Sequence, residues 1–424
     1  MNTMQIARAE FKKSVLNSGI RVVTERIPHV RSISLGAWFL VGSRDETEKN
    51  NGLSHYIEHM MFKGTTNRKA FAIAESLESV GGHLNAFTGK EITCYYAHIL
   101  DEHLPIAVEI ISDILINSVF DQHEMQKEKQ VILEELNTLE ETPEELIHEL
   151  FLNDLFPDNP LGFSTIGKRE NIVNFKRQNI LDYLTAKYTS ERMVIAASGN
   201  VAHEEFVKLV EKKFENFNHS GQSKYLPPSK PRHGVNIIEN GAIQAHVCLG
   251  TQSYSYRDKK KFGLLVLNTL LGTGMSSRLF QNIREKYGLA YSIYSYIDFL
   301  VDVGLFGIYI GTDKHKIDSS IELINKELKK LMQIPVSTEE LQRTKSQLKG
   351  NLMLGLESTL SRMNRLAKME LYLQNYFTLD DTLNEIEKVT KEDILSIANE
   401  LFEQNRMYIT VLKPKINALK EEGV

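Results

Sequence analysis

The sequence repeats itself at a spacing of 214 residues. Three dipeptides recur at that spacing: Leu35-Gly36 with Leu249-Gly250, Ile180-Leu181 with Ile394-Leu395, and Arg192-Met193 with Arg406-Met407. A shared offset at three distant points favours a duplicated fold, because unrelated matches would fall at different offsets. A further pair, Arg44-Asp45 and Arg257-Asp258, is 213 residues apart, which indicates one short gap. We therefore expect two similar halves produced by internal duplication.

A stretch of turn-forming residues separates the two halves. The segment 216–234 contains three prolines together with serine and glycine, a composition that is typical of an extended linker. We therefore expect a first domain over residues 1–215 and a homologous second domain over residues 235–424. A chain of 424 residues is long enough for two domains with sizeable cores.

The residue pattern of the first half mixes strands and helices. Strands are predicted at residues 13–16, 20–23, 33–41, 83–88, 91–99 and 193–198, and helices at 49–62, 70–80, 121–138 and from 142 onward. In the helix over 70–80, we expect Phe71, Ala74 and Leu77 on one side. This succession predicts an α+β fold in which each half has a mostly antiparallel sheet covered by helices on one face.

Charge and hydropathy exclude several classes of protein. The net charge of −5 lacks the basic surplus of a nucleic-acid binder. No apolar run reaches the roughly eighteen residues of a membrane span, so no membrane contact is expected. Residues 1–10 lack the apolar core of a signal peptide, from which we expect a cytoplasmic protein. Cys94 and Cys248 lie in apolar runs and are expected to be buried free thiols.

The first half contains a possible metal-binding motif, His55-Tyr56-Ile57-Glu58-His59. Residues four apart share one face of a helix, so the imidazoles of His55 and His59 can bind one metal ion. Glu58 lies on the same face, within reach of a water molecule on that ion. One more carboxylate would complete a catalytic zinc site with a position open for water. The order H-x-x-E-H is that of the inverzincins. The alternative is a helix with two solvated or packed histidines.

The second half lacks this motif. At an offset of 213, the three motif positions fall on Asn268, Leu271 and Gly272, and no metal ligands occur in their neighbourhood. We therefore expect the chemistry in the first half, while the second half walls a chamber or holds substrate.

The helix predicted over residues 121–138 carries the candidates for a third metal ligand. Glu128 and Glu135 are seven residues apart, which is nearly two turns, so both lie on one face. Spacing alone leaves either residue as the ligand, with an acidic, solvated helix as the alternative. Glu134 lies about 100° away from Glu135 around the helix axis and is not expected to bind metal.

Three segments together resemble the pitrilysin-type zinc peptidases, a family that includes mitochondrial processing peptidase and insulin-degrading enzyme. They are H-Y-I-E-H-M-M-F-K-G-T at 55–65, G-G-H-L-N-A-F-T at 81–88 and V-I-L-E-E at 131–135. The resemblance covers nearly the whole chain, since family members of this length also have two similar α+β halves. It implies that Glu135, 76 residues beyond His59, is the third zinc ligand, and that Glu128 is an auxiliary catalytic glutamate that orients the site or helps to hold the water.

The resemblance further implies a zinc metalloendopeptidase with one Zn²⁺ ion per chain. His55, His59 and Glu135 would hold the zinc ion, and the pKa of its bound water would fall toward neutrality. Glu58 would take the proton of that water and later pass it to the leaving amine. The expected substrates are peptides or extended, unfolded segments.

Two further segments resemble substrate-holding parts of the family. Arg284 and Tyr291 match an arginine and a tyrosine seven residues apart, which can hydrogen-bond the substrate carbonyl and the oxyanion formed on attack. Spacing alone would leave Arg284 as a surface residue of a helix. In such enzymes the substrate is extended and adds to a sheet edge, a role for which Asn85 and Ala86 in the strand 83–88 are the candidates.

The resemblance also implies an assembly. The long-chain members of the family carry four such domains around a chamber, whereas this chain has two. Because one chain holds both the zinc motif and the Arg/Tyr segment, we expect a homodimer in which Arg284 and Tyr291 serve the zinc site of the other subunit. The glycine-rich pattern of the inactive subunit of the mitochondrial enzyme is not evident, which also favours a homodimer.

Two alternatives to a peptidase remain at the level of sequence. The first is a non-catalytic scaffold of the same fold, like the core proteins of a respiratory complex. Those relatives typically lose a histidine or the glutamate of the motif, whereas this chain keeps all three. The second is a metal-dependent hydrolase of non-peptide substrates, which is less favoured because no phosphate or sugar site is indicated.

Overall fold

The computed structural model describes residues 9–215, 217, 227 and 232–415. Within them it has eleven β-strands and fourteen α-helices. The strands are β1 (Glu10–Val15), β2 (Arg21–Arg26), β3 (Ser32–Phe39), β4 (His83–Thr88), β5 (Thr93–Leu100), β6 (Met193–Gly199), β7 (Gly234–Asn240), β8 (Ala245–Ser253), β9 (Ala290–Phe299), β10 (Gly304–Thr312) and β11 (Tyr408–Pro414). Most of the linker predicted over 216–234 lies outside the described residues.

In both halves the helices lie in sequence between these strands, and several follow one another without a strand between them. They are α1 (Leu53–Met60), α2 (Ala70–Glu78), α3 (Leu104–Asn117), α4 (Gln122–Glu141), α5 (Pro143–Leu155), α6 (Arg169–Asn174), α7 (Arg177–Lys187), α8 (His203–Phe214), α9 (Lys261–Gly272), α10 (Ile317–Gln333), α11 (Thr338–Gly355), α12 (Thr359–Leu373), α13 (Leu379–Lys388) and α14 (Lys391–Leu401). A π-helical turn spans Phe280–Glu285. Short 3-10 turns lie at Ser43–Asp45, Asp101–His103, Pro160–Gly162, Ser190–Arg192 and Gln404–Arg406.

The two sheets repeat one strand order. The first sheet runs β1-β2-β6-β3-β5-β4, and the second runs β7-β11-β8-β10-β9. Apart from β1, each strand of the first sheet therefore has its counterpart at the same place in the second. The pairs β2–β6 and β7–β11 are parallel, and the other neighbours are antiparallel. The predicted α+β class with two similar, mostly antiparallel halves is confirmed.

The described residues form two compact units, and neither unit is continuous in sequence. The first unit lies within 1–136, 163–226 and 353–377, and the second within 137–162, 227–352 and 378–424. Each half thus contributes one helix to the unit of the other. The predicted division of the chain at 216–234 could not include this exchange, because it follows sequence order alone.

The exchanged helices cover the second face of each sheet. In the first unit, alternate residues of β3 pack into a core with α1, α3 and α8, while Ser34 hydrogen-bonds Thr359 of α12 at 2.9 Å. In the second unit, Phe151 of α5 packs with Tyr309 and Leu412, away from the core formed with α9, α10 and α14. The prediction that helices cover only one face is therefore wrong.

Several expectations about individual residues can be compared with the structure. Cys94 and Cys248 are free and buried, as predicted. The expected face of α2 is wrong at two positions, because Phe71 and Ala74 are exposed, whereas Ile73 is buried. In the part of the chain that the structure describes, no helix is long and apolar enough to cross a membrane.

Candidate metal centre

The motif helix α1 is fixed at its N-terminus by a buried carboxylate. Glu46 accepts hydrogen bonds from the backbone N–H groups of Gly52 and Ser54 at 2.8 and 2.7 Å, and from the side-chain amide of Asn51 at 2.9 Å. The first N–H groups of a helix lack partners within the helix, so this acceptor acts as a cap. Gly52 has φ +98°, and a Cβ there would lie 2.6 Å from the carbonyl oxygen of Ile166.

Glu46 is not among the residues for which the sequence predicted a role. An N-cap is expected directly before the helix, whereas Glu46 precedes Leu53 by seven residues and reaches back through a loop. The buried Tyr56, Ile57 and Met60 then hold the opposite side of α1 against the core. Cap and core together orient the two histidines on the remaining face.

The two histidines of the motif meet a carboxylate from α4. The Nε2 atoms of His55 and His59 are 3.2 Å apart, and Glu135 Oε2 lies 3.7 and 3.6 Å from them respectively. In the described part of the chain, His55, His59 and Glu135 are the potential metal-binding residues whose ligand atoms all lie within 4.8 Å of one another. Zinc–ligand bonds of about 2.0–2.1 Å place the corners of a tetrahedron about 3.3–3.4 Å apart, so the three atoms fit three corners.

Glu128 contacts the other nitrogen of His59. Its Oε1 accepts a hydrogen bond from His59 Nδ1 at 2.8 Å, and Lys63 Nζ donates to its Oε2 at 2.7 Å. A proton held on Nδ1 leaves the lone pair of Nε2 directed toward Glu135. The structure therefore separates two glutamates that spacing had left equivalent: Glu135 lies with the two Nε2 atoms, and Glu128 lies behind His59.

The environment changes the pKa values of three of these groups. Burial, together with the neighbouring His59, lowers the pKa of His55 to about 3. Burial also opposes the charge on His59, but the carboxylates of Glu128 and Glu135 outweigh it and raise the pKa. Burial would raise the pKa of Glu128, but the hydrogen bonds from His59 and Lys63 prevail and lower it. Neutral His55 is the form that metal binding requires, and ionised Glu128 is the form that accepts the hydrogen bond from His59 Nδ1.

Glu58 lies beside this group and is held by a strand. The hydroxyl of Thr88, at the end of β4, donates a hydrogen bond to Glu58 Oε2 at 2.5 Å. Burial raises the pKa of Glu58, and the hydrogen bond from Thr88 only partly offsets it. A carboxyl group with a raised pKa is suited to exchange protons near neutral pH. Thr88 belongs to the motif at 81–88, but nothing in the sequence pattern indicates this contact.

Asn85 and Ala86 lie on the edge strand of the first sheet. β4 pairs with β5 and stands last in the strand order. Asn85 is exposed, and its Oδ1 accepts a hydrogen bond from the backbone N–H of Ala86 at 2.8 Å. The same strand ends at Thr88, so one edge strand carries two of the four residues predicted to bind substrate and also the residue that holds Glu58.

Arg284 and Tyr291 lie together in the second unit. Arg284 is in the π-helical turn, and Tyr291 is in β9, the edge strand of the second sheet. The guanidinium carbon lies 4.6 Å from the ring centroid of Phe280 and 5.9 Å from that of Tyr291. The Tyr291 side chain is 78% exposed, so its hydroxyl can reach a ligand. The structure thus brings this pair together, in the unit that does not contain the histidines.

The chain is similar to two known domain families and to several named proteins. The family described as insulinase (peptidase family M16) matches residues 21–169, and the peptidase M16 inactive domain matches residues 174–348. The uncharacterized zinc protease YmxG of Bacillus subtilis is 40% identical, over 93% of this chain and 96% of its own length. An uncharacterized zinc protease of Streptomyces coelicolor is 39% identical, over 95% of this chain and 89% of its own.

A solved structure shares the fold over nearly the whole chain. The crystal structure of a protease from Helicobacter pylori has a TM-score of 0.90 and 24% identity, and the match covers 96% of this chain and 100% of that one. The inactive-domain match falls on the half that lacks the histidine motif. With relatives near 40% identity over almost their full length, the resemblance first indicated by three sequence segments is confirmed: the chain belongs to the insulinase family, peptidase family M16.

Proposed function

We propose that this protein is a zinc metalloendopeptidase that hydrolyses peptide bonds in peptides or in extended, unfolded segments. The observation that carries the proposal is the triangle of His55 Nε2, His59 Nε2 and Glu135 Oε2, with sides of 3.2, 3.7 and 3.6 Å. The relatives from B. subtilis and S. coelicolor, both named as zinc proteases, support this choice of metal and reaction.

The donor set fits one zinc ion per chain. Two imidazoles and one carboxylate are typical of catalytic zinc, whereas calcium and magnesium prefer oxygen ligands alone. When bound, zinc supplies a Lewis acid that polarises a carbonyl and makes water more acidic. Glu128 orients His59 through Nδ1, and Lys63 orients Glu128 in turn. Such outer partners fix the direction of a ligand's lone pair.

Glu58 carries the proton transfers in this proposal. Its carboxylate accepts the proton of the attacking water and then delivers it to the amine that leaves. The hydrogen bond from Thr88 holds one carboxylate oxygen, which leaves the other for the proton. Because Thr88 ends the edge strand β4, a substrate paired with that strand would be aligned with Glu58.

Substrate binding in this proposal uses both units. An extended peptide adds to β4 beside Asn85 and Ala86, and Arg284 with Tyr291 hydrogen-bonds the carbonyl at the scissile bond. The proposed assembly is a homodimer in which each Arg/Tyr pair serves the metal centre of the other subunit. Support comes from the chain itself, which contains both sets of residues.

A cleavage experiment tests the proposal. The zinc-loaded protein is incubated with a diverse peptide mixture, and products are identified by mass spectrometry. We expect new termini that disappear with a chelator and return when zinc is restored. The Glu58→Gln variant serves as the matched control, because it keeps the three ligands. If the zinc-loaded wild type produced no cleavage beyond that of Glu58→Gln, the peptidase proposal would be wrong.

A further inference from the structure

In the first unit, helix α8 fills a groove between a helix and the sheet. Its buried side chains Phe206, Val210 and Phe214 recur every four residues and belong to the same core as Val22 of β2. The groove is bounded by α3 on one side and β2 on the other, and α8 packs against both. At the beginning of α8, His203 Nδ1 hydrogen-bonds Thr24 Oγ1 at 2.8 Å.

The internal repeat identifies the equivalent positions in the second unit. Val22 has the same position in the β2–β6 pair that Val235 has in the β7–β11 pair, so these two residues are equivalent. Thr24 and Ile237 are equivalent in the same way. Val22 and Thr24 are 0% and 1% exposed, whereas Val235 and Ile237 are 60% and 57% exposed. The surface that α8 covers in one unit is therefore open in the other, although it is more apolar there.

This open surface forms a long groove, which we call the α10–β7 groove. Two adjoining cavities of about 520 and 260 Å³ share Val235 and Ile409 as walls. Along one side α10 contributes residues from Ile317 to Met332, a length of about 22 Å at the rise of an α-helix. This length suits a helix of about fourteen residues, and exposed apolar grooves of this kind bind amphipathic helices.

The residues that follow β11 do not reproduce the pattern of α8. At the repeat offset of 214 or 215, Phe206 falls on Lys420 or Glu421, so a charge replaces the first aromatic anchor. These residues lie outside the described part of the chain. Among the described residues no counterpart of α8 follows β11, so the kind of helix that fits the groove is inferred from the charge at its rim.

Charged residues at the rim of the α10–β7 groove indicate where the N-terminus of a bound helix lies. In the first unit, Glu204 in the first turn of α8 pairs with Lys12 at 2.7 Å. The cavity at the corresponding end of the α10–β7 groove, where β11 ends, is lined by Lys314 and Lys413, with Asp318 as an acidic neighbour. Lys413 pairs with Glu239 at 3.1 Å, so Lys314 is the cation placed to meet an incoming acidic group.

We propose that the α10–β7 groove docks an amphipathic helix of a partner protein. The helix presents apolar side chains at positions i, i+4 and i+8 to Val235, Ile237 and Ile409, and an acidic first turn to Lys314. The groove runs along β7, at the opposite edge of the second sheet from β9 with Tyr291, and none of its lining residues is among those proposed for metal or substrate binding. It therefore serves recruitment of the partner and not hydrolysis.

A labelled peptide with the sequence of residues 202–215 is the probe. Its binding to the full chain is measured by fluorescence anisotropy on the Glu58→Gln background, so that the peptide is not cleaved. We expect saturable binding that Ile237→Asp weakens at least tenfold. Ile243→Asp is the matched control: Ile243 is 96% exposed in the same unit but does not line the groove, and its replacement should leave the affinity unchanged.

Two further measurements separate the possible occupants. Absence of binding, or equal binding by the Ile237→Asp and Ile243→Asp chains, would overturn the proposal. So would a dimer in sedimentation that Ile237→Asp converts to monomer, because the groove would then join two copies of this chain. A gain in peptide affinity of tenfold or more after deletion of residues 416–424 would assign the groove to the chain's own C-terminal residues and would also overturn it.

Discussion

At the scale of single residues, the centre depends on which nitrogen of His59 each glutamate meets. Glu128 and Glu135 are two turns apart on α4 and both lie within reach of His59. Sequence spacing could predict this shared face, because helical geometry fixes it. It could not choose between the two glutamates, since the choice depends on the position of α4 against α1. Long-range packing decides that position.

The first prediction concerns the ligand from α4. We expect Glu135→Gln to weaken zinc binding by more than the roughly 10–100-fold typical of an outer partner, because an amide is a poor ligand for zinc. Glu128→Gln should fall within that smaller range, and Glu134→Gln should bind as the wild type does. Zinc content after dialysis against graded metal buffers measures all three. A larger loss in Glu134→Gln than in Glu135→Gln would contradict the assignment.

The second prediction concerns Glu58. We expect Glu58→Gln to keep its zinc and its melting temperature while kcat falls by about 10²–10⁴-fold, because an amide cannot accept a proton. Thr88 can still donate its hydrogen bond to the amide oxygen, so the side chain keeps its place. Turnover of a fluorogenic peptide at saturating concentration is the measurement. Turnover near the wild-type level would remove Glu58 from the role of base.

At the scale of elements, periodicity predicted most helices and strands of the first half, but it did not find the contacts that position them. β4 was predicted at 83–88, where the structure has it, while the motif helix begins at Leu53 and not at 49. The start shifts because the buried Glu46 caps the helix from a preceding loop. A carboxylate seven residues before a helix has no local signal, since its role arises only when the loop folds back.

The third prediction tests that cap. Glu46→Ala removes the acceptor of three buried donors, and an unsatisfied buried donor costs about 1–3 kcal/mol. We expect a loss of about 3 kcal/mol in unfolding free energy together with weaker zinc binding, because the motif helix loses its orientation. Glu48→Ala is the control, since the Glu48 side chain is exposed and pairs with Lys168 at the surface. Equal denaturation midpoints for the two variants would show that Glu46 does not anchor the helix.

At the scale of the whole molecule, the repeat of dipeptides predicted the duplication, and the common strand order bears it out. The exchange of α5 and α12 could not be predicted, because each helix lies in sequence within the half whose sheet it does not cover. Both helices are amphipathic, and periodicity alone does not tell which sheet an apolar face will meet.

The last prediction tests whether the metal centre and the Arg/Tyr pair act across a homodimer. The His55→Ala chain lacks a ligand and the Arg284→Ala chain lacks the guanidinium, so each alone should be nearly inactive. A mixed dimer has one site in which an intact metal centre meets an intact pair. Under random exchange in a two-fold dimer, activity should recover to about a quarter of wild type.

The control for this experiment mixes His55→Ala with Glu58→Gln. Both changes lie in the metal centre, so a dimer of these two chains contains no complete centre and should stay inactive. Subunit exchange is confirmed first by mass spectrometry of differently tagged chains. If exchange occurs and the His55→Ala and Arg284→Ala mixture still recovers nothing, the pair acts within its own chain or has no part in catalysis. Recovery in the control mixture would mean that the activity comes from something other than the proposed complementation.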